Sequence, residues 1–303
     1  MSAIRALELF DLPRLSRYRD EVIALDSRRA LTRGNPLRAR NFISYLNPKR
    51  RIYTGVFEDE KGVVLGGIIQ RAEENFARLA YLAPARAPLA LIDHLTAHAG
   101  VWQARQIVTE IDEKNALFQS LRQCGFSVYG HQRIWNLSDI SHLDNALTRW
   151  RKKKDIDFPA IQNLENKIIP PLLLPLETFS NISSGMLCQN DELLAYIDIS
   201  YGSRGIFLRP LIHPNTENLG EKLLNFLANL PKSHRLPIYL CVRSHQAWIE
   251  PVLEEMGARA GARQAVLVKY LVSRIRKEKT LPVAGEKAWA NPAAPIQRLE
   301  MDE

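Results

Sequence analysis

The sequence predicts an α/β protein made of two copies of one domain, each a mixed β-sheet with helices packed on it. The first observation is a repeat: residues 107–111 and 238–242 are apolar runs, each followed by an amphipathic stretch, a glycine and a second strand pattern. The second is that two strand patterns and a helix pattern precede both runs. Equivalent features lie about 130 residues apart, a spacing that fits duplicated domains rather than a solenoid.

Periodicity predicts each element of the first copy. Helical spacing of apolar residues predicts a helix over residues 7–26 and a shorter one over 38–46, which ends before Pro48. Alternating patterns around residues 59–62 predict a hairpin of strands 52–58 and 63–70. The remaining predicted elements are strand 76–83, helix 89–99, strand 106–112, helix 115–123 and strand 126–137.

The second copy repeats this order after a polar, charged junction. Its predicted elements are strands 192–200 and 205–212, helix 218–230, strand 238–242, a helix before Gly257 and strand 265–272. The predicted domain bounds are therefore 1–140 and 168–272, with a linker over 141–167. Apolar periodicity is lost after residue 272, so residues 273–303 are predicted to be a disordered tail.

Composition bounds the class of protein. The 303 residues fit about two domains, and no apolar run approaches the ~20 residues that span a bilayer. The three cysteines are scattered without metal-ligand spacing, which predicts structural thiols in a reducing cytoplasm. A net charge of +8 is compatible with nucleic acid, acidic lipid or a phosphorylated ligand. Because much of it is local to the junction and tail, we interpret it as solvated charge and expect no nucleic-acid or membrane partner.

The order of elements, together with the ending in helix, Gly125-Phe126 and strand, resembles the GNAT family of acyl-CoA-dependent N-acyltransferases. The resemblance covers both copies, so it implies two GNAT-like domains in tandem. It also implies acetyl-CoA as the acyl donor and a small-molecule or peptide amine as the acceptor. In that family acetyl-CoA lies in a V-shaped opening between two neighbouring strands. Its pyrophosphate is held by the N–H groups that begin the following helix, where unpaired donors and the helix dipole favour an anion.

The resemblance assigns cofactor binding mainly to the second copy. The residues are Leu211, Ile212, Asn218, Leu219, Gly220 and Lys222. Gly220 falls at the central glycine of the family's phosphate loop, but Glu217 stands where the family has Arg or Gln, and a carboxylate beside a pyrophosphate is unfavourable. The equivalent loop of the first copy has no glycine, and Arg86 is its candidate phosphate contact.

Two residues are candidate catalytic bases, Glu110 on a central strand and His213 at the end of the strand that borders the predicted cleft. A salt-bridged glutamate and a strand-capping histidine are the alternatives. Leu121 and Leu253 occupy the positions at which many GNAT enzymes carry a tyrosine acid, and leucine cannot transfer a proton. Two hypotheses follow: an N-acetyltransferase, or a catalytically inactive GNAT-fold binding or scaffold protein in which the cofactor chemistry is lost. His94 and His98 have metal-ligand spacing on a helix but no accompanying carboxylate motif, so no metal site is predicted.

Overall fold

The computed structural model describes residues 3–8, 11, 17–37, 50–71, 74–140, 150–177, 179, 184–189, 193–230 and 236–271. We call residues 1–140 the first half and residues 141–272 the second half. In the first half the described elements are β1 (Ala3–Ala6), β2 (Ile23–Ala24), α1 (Ser27–Arg33), β3 (Arg50–Asp59), β4 (Gly62–Arg71), β5 (Ala77–Ala83), α2 (Leu89–Val101), β6 (Gln106–Asp112), α3 (Ala116–Gln123) and β7 (Ser127–Asn136).

The second half contributes the remaining strands and helices. They are β8 (Trp150–Lys152), α4 (Phe158–Ile168), α5 (Leu174–Glu177), β9 (Ser184–Gln189), β10 (Leu193–Tyr201), β11 (Ile206–Ile212), α6 (Leu219–Asn229), β12 (Ile238–Arg243), α7 (Ile249–Glu255) and β13 (Arg259–Tyr270). Short 3₁₀ turns at Asp155–Asp157 and Ser244–Gln246 precede α4 and α7.

In the described part of the chain, one mixed sheet of 13 strands runs through both halves, in the order β1-β3-β4-β5-β6-β13-β7-β12-β11-β10-β9-β8, with β2 pairing β5. The halves exchange their last strands: β13 lies between β6 and β7, and β7 lies between β13 and β12. Gln264 of β13 and Gln132 of β7 are direct partners at the centre of this exchange. Because neither half has a complete sheet without the other's last strand, the two halves fold as one body.

Helices cover the two halves in the same way. α2 and α3 of the first half pack on one apolar cluster, and α6 and α7 of the second half pack on its counterpart. Side chains on the other face of the sheet pack against other helices. α4 packs on β10 and β11, while Leu176 of α5 lies in one apolar cluster with Val108 and Val266 at the strand exchange. This duplicated arrangement agrees with the predicted fold class of two α/β domains in tandem.

Several predicted elements differ from the structure or fall outside its described part. Residues 17–24 of the predicted helix 7–26 form turns and β2 instead, because pairing with β5 outweighs the helical periodicity. Asp26 caps a later helix, accepting from the N–H of Arg29 at 3.0 Å. Part of the predicted linker forms β8 and α4, which belong to the second half's sheet and core. The predicted helix 38–46 and tail 273–303 lie outside the described residues, and the domain bounds stay a prediction.

Candidate functional site

Each half has a pair of parallel strands that separate towards their carboxyl ends. In the second half, β11 and β12 pair only at residues 206–208 and 238–240. Every second residue of β11 directs its backbone N–H and carbonyl towards β12. After Leu208, the next residue that does so is Pro210. Proline has no N–H to donate, so the pairing cannot continue there. The result is an opening between the two strands beyond Leu208.

One side chain bridges two backbone groups of β11 at the edge of this opening. Gln246, in the 3₁₀ turn after β12, accepts from the N–H of Ile212 and donates to the carbonyl of Pro210, both at 3.0 Å. Only 2% of Gln246 is exposed. Its carboxamide satisfies two strand-edge groups that would otherwise be buried and unpaired.

The same opening in the first half is filled by main chain. β5 and β6 pair only at residues 77–78 and 107–108, and the segment 23–25 enters between them. Leu25 donates its N–H to the carbonyl of Ala80 at 2.8 Å, and its carbonyl accepts from the N–H of Glu110 at 2.9 Å. The Leu25 side chain is 1% exposed. A ligand could enter this opening only by displacing an ordered stretch of backbone with its buried side chain.

A buried polar network joins the two openings. Arg243 contacts Glu177 at 2.9 Å and the side-chain oxygen of Gln132 at 2.6 Å, and it lies 3.8 Å from Glu110. Burial lowers the pKa of Arg243, but the nearby carboxylates, Glu177 first, more than offset this and raise it overall. The network therefore fixes Arg243 and Glu177 of the second half against Gln132 and Glu110 of the first half.

Glu110, one of the two predicted bases, is part of that network. Its Oε2 accepts from the N–H of Ser27 at 3.0 Å, just beyond the segment that fills the first opening. It is 7% exposed. These contacts agree with the structural alternative for Glu110, because the carboxylate already holds a backbone donor and faces Arg243.

His213, the other predicted base, lies where β11 meets the loop before α6. Its Nδ1 accepts from the N–H of Asn215 at 3.2 Å, and its own N–H donates to the carbonyl of Leu194. These contacts stabilise the turn, and no contact between His213 and Glu110 is present in the described part of the chain. Leu121 and Leu253 are fully buried in the two helix-covered cores.

The predicted phosphate loop begins α6. Asn218, the N-cap, adopts φ 51° and ψ 44° and makes no side-chain cap. Among the described residues, no acceptor is present for the N–H groups of Leu219, Gly220 and Glu221. Such unpaired donors at the start of an 11-residue helix are suited to an anion.

Three other predicted cofactor contacts are arranged differently from expectation. Lys222 donates through Nζ to the carbonyl of Glu217 at 2.6 Å. A Cβ at Gly220 would meet Val252 at 3.5 Å, so the absent side chain points towards α7 rather than along the path of an anion. In the first half, Arg86 makes a two-pronged ion pair with Asp59 at 2.9 Å, which holds the turn between β3 and β4.

Sequence reasoning missed the residues after β12. His245 is partly buried, next to Gln246. Burial lowers its pKa; the charge of Glu177 opposes this and that of Arg243 adds to it. The neutral imidazole that this burial favours is the form that accepts a proton. The available sequence signal was Pro210, which marks the point where the strand pairing ends.

Other candidates have structural explanations. His94 Nε2 lies 2.7 Å from the Tyr53 hydroxyl and His98 stacks on the same ring at 3.7 Å. No group of His, Cys, Asp or Glu that could hold a metal ion occurs among the described residues. No described helix has the length and apolar character required to span a membrane.

Comparisons with known proteins address the fold. No protein-family model matches the sequence, and no curated protein matches it. The structure is similar to a tandem GNAT protein from the clavulanic acid biosynthesis pathway, with TM-score 0.52, 14% identity, and coverage of 89% of this chain and 98% of that chain. A Pyrococcus horikoshii protein labelled an acetyltransferase gives TM-score 0.52 at 10% identity, covering 89% of this chain and 90% of its own. A Drosophila protein gives TM-score 0.50 at 11% identity, covering 89% of this chain and 99% of its own.

These likenesses extend over most of the chain and over nearly the whole length of each matched protein. They agree with the duplicated order of elements. The chain therefore has the GNAT fold in tandem.

Proposed function

We propose that this protein is an acyl-CoA-dependent N-acyltransferase whose working cleft is in the second half. The observation that carries the proposal is the difference between the two openings. Backbone fills the first, whereas a single carboxamide, Gln246, spans the second, next to the unpaired N–H groups of α6. A side chain can move aside by changing rotamer, but residues 23–25 cannot leave without breaking strand pairing.

The open strand edge and the start of the helix suit different parts of the donor. CoA carries two amides in its extended arm, which can pair with the Ile212 N–H and Pro210 carbonyl once Gln246 withdraws. Its pyrophosphate then lies against the N–H groups of Leu219 and Gly220. Glu217 weakens this anion site, because its carboxylate lies in the same loop.

The reaction on this proposal is direct attack of an amine on the thioester. The amine must lose a proton as the C–N bond forms and the C–S bond breaks, and the CoA thiolate leaves. His245 is the candidate base, because burial favours its neutral form and it is adjacent to Gln246. Leu253 supplies no acid for the thiolate, so the leaving group takes its proton from water or the amine.

Isothermal titration with acetyl-CoA tests the proposal. We expect one site per chain, because only one opening can admit the ligand. Glu217→Gln should tighten binding by about two- to fivefold, the effect of removing a carboxylate from a helix N-terminus. Glu254→Gln, on the exposed side of α7, is the matched control and should leave affinity unchanged. No binding at millimolar acetyl-CoA, or two equal sites, would contradict the proposal.

The second candidate function is a GNAT-fold binding protein without catalysis. Its support is that Leu121 and Leu253 are core residues and that His213 is engaged in a turn. Acetyl-CoA hydrolysis and transfer to a panel of amines separate the two functions. An acyltransferase should lose rate at low pH with a lower midpoint than an ordinary histidine, and His245→Gln should remove this dependence. Binding without turnover on any amine would favour the second candidate.

A further inference from the structure

Two arginines face each other at the open end of the β3–β4 hairpin. Arg50 and Arg71 are direct partners in the antiparallel register. Like charges directly opposite in a sheet repel each other. Both guanidinium groups are partly buried, and burial is the largest cause that lowers the pKa of each.

Helix α1 brings a second arginine pair to the same place. Arg29 and Arg33 are four residues apart, so they lie on one side of the helix. Burial lowers the pKa of Arg33, and the charges of Arg29 and Arg71 lower it further. The pKa of Arg50 is lowered in the same way by Arg33 and Arg29. The helix and the hairpin meet at Glu74, whose Oε1 lies 4.0 Å from both Arg28 of α1 and Arg71 of β4, so the helix pair and the strand pair lie close together.

Few carboxylates offset this charge. Glu74 is shared by three arginines: its Oε1 lies 4.0 Å from Arg28, 4.0 Å from Arg71 and 3.4 Å from Arg78. Asp26 is the other carboxylate, and one of its oxygens accepts from a backbone N–H at the start of α1. Among the described residues no carboxylate makes an ion pair with Arg33 or Arg50.

We propose that Arg33, Arg50 and Arg71, with Arg29 beside them, form a binding site for a phosphate-bearing small molecule, separate from the cleft of the second half. Arg33, Arg50 and Arg71 carry more positive charge than Glu74 and Asp26 neutralise, because the same two carboxylates also face Arg28 and Arg78. A phosphate ester or diphosphate supplies two or more further negative charges. Guanidinium groups also match phosphate oxygens with paired hydrogen bonds. The ligand would replace mutual repulsion by attraction and fasten α1 to the β3–β4 hairpin.

Thermal unfolding with inorganic pyrophosphate at constant ionic strength tests the site. Pyrophosphate should raise the Tm of the parent more than sodium chloride or sulfate does. Arg50→Gln should remove this increase and weaken pyrophosphate binding by at least about tenfold. Without pyrophosphate, Arg50→Gln should raise the Tm by about 1–3 °C, because it relieves like-charge repulsion. A purely structural arginine would give the opposite sign.

Arg259→Gln is the matched control, because Arg259 is 77% exposed in its side chain and pairs with Asp139 at the far end of β13. It should retain the full pyrophosphate response. If Arg50→Gln fails to fold, Arg33→Gln serves as the second variant with the same expected signs. Two results would overturn the proposal. One is a pyrophosphate response of Arg50→Gln and Arg33→Gln equal to that of the parent. The other is a parent response to pyrophosphate no larger than its response to sulfate.

The source of the phosphate is distinguished by competition. A pyrophosphate response that persists in saturating CoA supports a separate ligand. Complete loss of that response with CoA, together with weaker CoA binding by Arg50→Gln, would assign the arginines to CoA and overturn a separate site. Because the site is independent of the second opening, its outcome does not depend on whether acetyl-CoA binds there.

Discussion

Replacing Gln246 with alanine should make acetyl-CoA bind more tightly while making the protein less stable. The carboxamide makes two hydrogen bonds of 3.0 Å, one with the N–H of Ile212 and one with the carbonyl of Pro210. Entry of the CoA arm must break both, and each contributes about 0.5–1.5 kcal/mol net. Gln246→Ala removes that competition, so affinity should rise by about tenfold, which is roughly 1.4 kcal/mol.

The stability of the variant should change in the other direction. Without ligand, Ile212 and Pro210 are left with unpaired buried backbone groups, at about 1–3 kcal/mol each. We expect a loss of about 2–6 kcal/mol, which lowers the Tm by roughly 4–24 °C for a body of this size. Acetyl-CoA should restore part of that loss by binding the folded state.

Titration calorimetry and thermal unfolding measure these two effects independently. Gln70→Ala is the control, because Gln70 is also buried and donates to a backbone carbonyl, that of Glu74, but lies in the first half. It should lose stability without a change in affinity. Gln246→Glu is a second variant: it keeps an acceptor for Ile212 but has no donor for Pro210. Unchanged or weaker acetyl-CoA binding by both Gln246 variants would refute the idea that this side chain occupies the cofactor's path.

Four further predictions concern stability, each measured by urea unfolding. Burial raises the pKa of Glu165, so the folded state favours its protonated form and loses stability as the pH rises above about 4.5; Glu165→Gln, which keeps the acceptor oxygen, should remove this dependence and be at least as stable as the parent at pH 7. Glu177→Gln should instead destabilise by about 3 kcal/mol, because buried Arg243 loses its closest carboxylate, and equal effects of the two substitutions would contradict the reasoning. Gly202→Ala should destabilise by about 1–3 kcal/mol, since its Cβ would collide with the backbone carbonyl oxygen of Thr32 in α1. Gly100→Ala, in open space on α2, should stabilise by up to about 1 kcal/mol, and a loss of stability there would show that the helix is strained.

Much of the fold could be predicted because its information is local and occurs twice. Strand alternation, helical spacing and the glycine after each amphipathic stretch recur in both halves, and each copy supports the interpretation of the other. Most predicted strands and helices after residue 50 agree closely in position with the structure, within the ranges that it describes. The exceptions are β13, which begins at Arg259 rather than at residue 265, and β8, α5 and β9, which were not predicted. The tandem GNAT resemblance followed from that order together with the ending in helix, Gly125-Phe126 and strand.

The prediction failed where tertiary pairing outweighs periodicity. Residues around Leu25 have helical apolar spacing, but they form a short strand because the separated edges of β5 and β6 offer unpaired backbone groups. The exchange of β7 and β13 could likewise not be predicted from the sequence. Alternation specifies that a segment is a strand and which face is apolar, but it does not specify the neighbouring strand.

The sequence by itself determined the duplicated order of strands and helices, the loop at Gly220 and the absence of an acid at Leu121 and Leu253. Only the tertiary structure decided what lies in each opening. Residues 23–25 close the first opening and Gln246 spans the second, although nothing near them in the sequence indicates either contact. The physical reason is that a strand edge accepts any donor that geometry brings to it. The identity of that donor is therefore decided by contacts between residues that are distant in sequence or separated by a turn.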